Sequence, residues 1–295
     1  MRRRLGPWLL AAGLVLVACG DDDADSAPPS SAAGTVTTVA SAVGTTGPTT
    51  VPPGGGPPTT AGAAPPSGTG DPATAPPPGG VPLTPGAVGH LAPALLQPGN
   101  GDRIVVEVRA QDGAVPASGT IDHVTSVLRA ASGKAVSAQG VGRVGGGARS
   151  WTPATIAEAA DSVSSHPQGG AQVVVRLLFL HGTFEGDDSV LGVSVRGDVA
   201  AVFSDQVDAA AGILVSPQVV EDAVTVHETG HLLGLVDLVL RTGRADPAHP
   251  GHSSNRHSVM YWAVESDVIS QLLDGGIPNQ LDAQDKADLA TIRAG

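Results

Sequence analysis

Apolar and polar residues alternate with clear periods along the last two-thirds of the chain and hardly at all before it. Arg103-Ile104-Val105-Val106-Glu107-Val108 is a β-branched run that predicts a strand. Between Ala117 and Ala131, Ile121, Val124, Val127 and Leu128 recur on one helical face, so an amphipathic helix is predicted there. Ala135 to Val144 reads as a weaker strand interrupted by Gly140 and Gly142. Thr152-Pro153 then supplies a cap and a first-turn proline for a second helix running to Ser164. Ala171 to Leu180, AQVVVRLLFL, is apolar almost throughout, the pattern of a central strand covered on both faces. Leu191 to Arg196 and Val199 to Phe203 flank Gly197-Asp198 as a hairpin. After Ser216-Pro217, Val220, Val224, Leu232 and Leu235 follow at roughly helical spacing, and Gly234 can end that helix in a left-handed turn. Strands and helices alternate first and a hairpin comes later. The fold class is therefore α/β (or α+β), a mixed twisted sheet backed by helices.

The front of the chain has no such periods. From Ser26 to about Pro98 it is Pro, Gly, Thr, Ser and Ala, with almost no large apolar residue before Val81. A segment of that kind cannot bury enough surface to offset the entropy of ordering it. Residues 20–100 are expected to form an extended linker, and residues 101–295 one domain, since the composition changes at Asp102. Ahead of the linker, Met1-Arg2-Arg3-Arg4 is a positive run and Pro7 to Val17 a short apolar one, closed by Leu16-Val17-Ala18-Cys19. This resembles a bacterial lipoprotein signal over residues 1–19. The resemblance implies that Cys19 is lipidated and that the protein is exported and held at the outer face of the cell membrane, touching it only through that anchor.

Charge and cysteine count narrow the chemistry. A formal net charge of −12 argues against nucleic acid as a partner, because phosphate binding needs a basic surface. Cys19 is the single cysteine, so neither an internal disulfide nor a cysteine-based zinc site is available. Histidine and carboxylate remain as candidate ligands.

They occur together in His227-Glu228-Thr229-Gly230-His231, within the stretch Ser216 to Asp237. On a helix, residues four apart share a face, so His227 and His231 can direct their imidazoles at one ion. Two neutral imidazoles at that spacing suit Zn²⁺, which takes about four ligands and keeps one position open when it is catalytic. Glu228, one residue round the helix, is placed to act as a general base and not as a ligand. For the third ligand the sequence leaves three candidates. Asp237 lies just beyond the turn at Gly234. His252 and His249 follow an excursion punctuated by Gly243, Pro247, Pro250 and Gly251, which suits a loop returning to a fixed place. His90, His123, His166, His181 and His257 have no spacing that singles them out.

The motif helix, the later Ser258-Val259-Met260 and the final segment Leu281 to Leu289 resemble the metzincin clan of zinc metallopeptidases. Within it, His227 to Gly234 followed by Asp237 is similar to snapalysin-type proteases. His252-Ser253-Ser254-Asn255-Arg256-His257-Ser258-Val259-Met260 is instead similar to archaemetzincins, with Ser253 and Ser258 standing where that pattern has cysteines. The closing segment resembles that of matrixins. The resemblance covers about Ser216 to Ile292. It implies a metalloendopeptidase with a C-terminal helical subdomain, a shallow cleft, and Met260 as an apolar floor under the zinc ligands. It also implies a peptide or protein substrate laid along an edge strand, and the chain is expected to act as a monomer. The competing expectation is a non-catalytic cell-surface module that keeps zinc as a structural element.

Overall fold

At the centre of the structure runs β4 (Gln172–Leu180), buried at every position as its unbroken apolar sequence predicts. The computed structural model describes residues 83–212, 215–264 and 276–295. The segment expected to be a signal, Cys19 and the stretch expected to be a linker, up to residue 82, lie outside the described residues. Around β4 is a five-stranded sheet that also contains β1 (Arg103–Ala110), β2 (Ala135–Arg143), β6 (Gly192–Arg196) and β7 (Val199–Phe203), in the order β2-β1-β4-β7-β6. The first four of these pair in parallel, while β6 returns antiparallel to β7 and forms one border of the sheet. Parallel neighbours need crossover connections: α2 (Ser118–Ser132) lies between β1 and β2, and α3 (Pro153–Ser162) lies on the path from β2 to β4. A second, two-stranded sheet joins β3 (Arg149–Trp151) to β5 (Gly182–Phe184). The expected mixed sheet backed by helices is the observed fold class.

Side-chain alternation divides the core into two layers. Ile104, Val106 and Val108 of β1 and Val173, Val175 and Leu177 of β4 face Val124 and Leu128 of α2, together with Val220 and Val224 of α5 (Pro217–Leu232). Leu178 and Leu180 face the other way, onto Trp151 and onto Ile156 and Ala160 of α3. Glu107 and Arg176 point to that second side as well, and both are buried. Arg176 pairs there with Asp198, and Glu107 accepts from the backbone and hydroxyl of Ser165, both at 2.9 Å. Burial raises the Glu107 carboxyl, but its hydrogen bonds from His166 and Ser165 outweigh that and hold it below its ordinary value.

The expected start of the domain at residue 101 is corrected by the structure. Residues 83–100 belong to the fold, and their short helix α1 (Ala92–Leu96) buries Leu95 and Leu96 completely. Leu91, Leu95 and Leu96 join the same core layer as α2, α5 and the closing helix α6 (Ala283–Ala294). Lys134 pins the segment from below, its Nζ donating to the carbonyls of Ala94 at 2.6 Å and Asn100 at 2.9 Å. Burial pushes that ammonium group below its ordinary range, though the two carbonyls still hold it. A five-residue helix flanked by Pro and Gly has too few residues to show a period, which is why composition placed it in the linker.

Three further elements have no counterpart in the sequence reading: β3, β5 and α4 (Ser204–Ala211). The first two are three residues each, too short for alternation to show. No helix among the described residues is long and apolar enough to cross a membrane.

Candidate metal centre

The centre is built on the last two turns of α5. Ser216 caps the helix by accepting from the amide of Val219 at 3.4 Å, and Pro217 occupies its first turn. Packing against α2, α4, β6 and β7 buries every residue of the helix from Ala223 to Leu232. Gly234 ends it with φ of +82°, and the amide of Leu235 reaches back to the carbonyl of Gly230 at 3.1 Å. A side chain at Gly234 would also meet Ala92 of α1 and Val239.

His227 and His231 meet as their spacing predicts, with their Nε2 atoms 3.0 Å apart. His227 donates through Nδ1 to the carbonyl of Val259 at 2.7 Å, which fixes its tautomer and leaves the Nε2 lone pair facing inward. His252 completes the group: one ligand atom from each of the three histidines lies within 4.8 Å of the other two. Its ring stacks on His227 and stands edge-on to His231, with centroids 5.2 Å away in both cases. Two ligands bound about 2.0–2.1 Å from one ion at a tetrahedral angle are separated by roughly 3.4 Å, within the spread of these nitrogens. An all-imidazole set does not suit Ca²⁺ or Mg²⁺, which demand oxygen. It suits Zn²⁺.

The other two candidates for the third ligand do not join the group. Asp237 turns its carboxylate to its own loop, accepting from the amide of Thr242 at 2.6 Å, from the Thr242 hydroxyl at 2.9 Å and from the amide of Gly243 at 3.3 Å. The Thr242 amide is the chief reason its carboxyl sits below the ordinary range. His249 stacks on Trp262, with centroids 4.4 Å apart, and its Nδ1 lies 3.2 Å from the Asp246 carboxylate.

Met260 is fully buried and lies directly under α5. Gly230 makes that possible. Glycine inside a helix costs about 1 kcal/mol relative to alanine, yet a Cβ at this position would fall on the sulfur of Met260. The turn holding Met260 is fastened in two directions. The Met260 carbonyl accepts from the amide of Ser253, next to His252, at 2.7 Å, and the Met260 amide donates to Ser258 Oγ at 2.9 Å. Ser258 Oγ in turn donates to Asp285 of α6 at 3.0 Å.

Three acidic residues at the start of α6 thus hold the returning excursion: Asp282 accepts from Asn255, Asp285 from Ser258, and Asp288 pairs with Arg244. Burial pushes the Asp285 carboxyl up, partly offset by the hydrogen bonds it receives from the Asp282 amide and Ser258.

Glu228 is fully buried beside the histidines, and its Oε2 accepts from Ser194 Oγ of β6 at 2.8 Å. The strand approaches so closely at Gly192 that a Cβ there would meet Val224 at 2.6 Å and the Glu228 side chain at 3.0 Å. Glu228, His231 and His252 share a cavity of about 290 Å³ with Gly192, Ser194 and the apolar Val88, Phe184 and Leu238. Sequence reading missed Ser194 and Gly192. The one available signal was a small and a polar residue at alternate positions of a strand that was itself predicted.

No family model matches the chain, and the comparison with curated proteins found no match. Among solved structures, the archaemetzincin of Methanopyrus kandleri aligns at 16% identity and TM-score 0.45, over 66% of this chain and 97% of that one. The archaemetzincin of Archaeoglobus fulgidus, solved with malonate, aligns at 16% identity and TM-score 0.39, over 63% and 98% of the two chains. A zinc-dependent peptidase from Methanocorpusculum labreanum aligns at 16% identity and TM-score 0.39, over 62% and 99%.

Proposed function

We propose that this protein is a zinc-dependent peptidase whose metal is held by His227, His231 and His252 and whose general base is Glu228. The observation that carries the proposal is the convergence of three imidazoles beside a buried carboxylate, with Glu228, His231 and His252 on the wall of one cavity. Bound there, zinc would supply a Lewis acid that polarises a carbonyl and makes water acidic enough to be deprotonated near neutral pH. The protein's own groups account for the rest. Glu228 accepts a proton on its carboxylate and delivers it to the departing amine. Ser194, donating to Oε2, keeps that carboxylate turned toward the cleft. The Val259 carbonyl orients His227, and the turn carrying Met260 fixes His252 relative to α5. An extended peptide can lie along β6, which borders the sheet among the described strands, and pair with its backbone.

The alternative, a binding module with structural zinc, calls for a closed fourth position. Among the described residues the histidine group has three members and opens on a cavity, which favours catalysis. The lipobox-like segment ending at Cys19 supports a further reading, that residues 20–82 tether the peptidase outside the cell. The zinc-loaded full chain, incubated with a mixed peptide library, should cut peptide bonds. It should stop when a chelator removes the metal and resume when zinc is restored. Zinc bound at one equivalent with no cleavage of any peptide would leave the structural-module reading standing instead.

A further inference from the structure

Val236 and Asp237 both have positive φ, at 53° and 62°. A β-branched residue enters that region only under strong constraint. Here the constraint comes from both sides. Val236 is buried in the core, and Asp237 accepts three hydrogen bonds from Thr242 and Gly243. The outcome is a tight loop whose tip, Leu238-Val239, is a pair of large apolar side chains left 41% and 40% exposed.

The loop does not stand alone. Gly89 of the N-terminal segment lies so close that a Cβ there would be 3.3 Å from Leu238 Cβ, which brings Val88 alongside. Val88 and Leu238 line the cavity containing Glu228, His231 and His252. They also line an adjoining cavity of about 380 Å³ with Ala87, Pro93 and Val239. Two otherwise separate cavities therefore share an aliphatic pair, and one of them holds the reactive centre.

We propose that Val88 and Leu238 form a subsite for an aliphatic side chain of the substrate, so that the protein acts on peptides carrying Leu, Ile or Val near the cleaved bond. The proposal rests on the peptidase reading. It gives the strained turn a purpose: Asp237, which the sequence offered as a metal ligand, instead holds Leu238 at the mouth of the cleft. A polar side chain placed there would leave these carbons against an unmatched group, whereas an aliphatic one covers them.

The test is binding, so that it does not depend on turnover. The zinc-loaded full chain carrying Glu228→Gln is titrated with fluorescein-labelled decapeptides in which a single leucine is moved through a serine-rich background. One leucine position should bind roughly 10–200-fold tighter than the all-serine peptide. Adding Leu238→Asp should abolish that preference while zinc content and melting temperature stay as in the parent. Equal discrimination with and without Leu238→Asp overturns the subsite, as does a parent that gains nothing from leucine at any position. Cleavage by the wild-type chain, measured in parallel, separates the two readings: cleavage without leucine preference sinks the subsite and leaves the peptidase.

Discussion

Replacing His252 with alanine is expected to weaken zinc binding by more than about 100-fold, whereas Asp237→Ala should retain the metal within about tenfold. The contrast follows from where each side chain goes. His252 contributes one of three converging ligand atoms, and its loss leaves two imidazoles four residues apart on one helix. Loss of a group that only supports a ligand typically costs about 10–100-fold, so a larger loss marks a direct ligand. Asp237 is committed to Thr242 and Gly243 on the far side of the turn at Gly234. Its removal should loosen the loop bearing Leu238 and not the metal. Competition against a chromophoric zinc chelator measures both affinities. A metal lost from the aspartate variant alone would reverse the ligand assignment.

Glu228→Ala should keep one zinc per chain and lose most hydrolysis. General-base catalysis contributes about 10²–10⁴-fold, equivalent to roughly 2.7–5.4 kcal/mol of barrier. The prediction is sharp because Glu228 is buried beside the ligands without being one of the converging group. Its partner Ser194 lies on a different element, so the histidine geometry does not depend on it. Metal analysis and kcat/KM for the same purified variant decide the matter. Unchanged kcat/KM would rule out Glu228 as the base.

How much of this was legible in the sequence depends on chain separation. His227, Glu228 and His231 are fixed by helical geometry alone, and the cap at Ser216, the proline and Gly234 mark where that helix starts and stops. β4 and the β6–β7 hairpin were equally plain, because a long apolar run and a Gly-Asp turn each carry a local signal. The third ligand was not, since a long excursion separates Gly234 from His252. Its return is dictated by contacts with α6, through Asp282, Asp285 and Asp288. Local spacing left Asp237 as a competing candidate. The N-terminal segment was hidden for a different reason. Its core contribution is three leucines and two alanines in a Pro- and Gly-rich neighbourhood, and its anchor, Lys134, lies more than thirty residues downstream. Gly230 and Gly192 are visible as letters, but their purpose appears only when Met260 and Glu228 are seen against them.

In the proposed centre, three imidazoles from α5 and the returning excursion hold one zinc ion. Zinc K-edge X-ray absorption on the full chain loaded with one equivalent tests it most directly. Three imidazole nitrogens are expected at about 2.0–2.1 Å from the zinc, falling to two in His252→Ala and staying at three in Asp237→Ala. A wild-type shell of two imidazoles that loses a carboxylate oxygen in Asp237→Ala would contradict it.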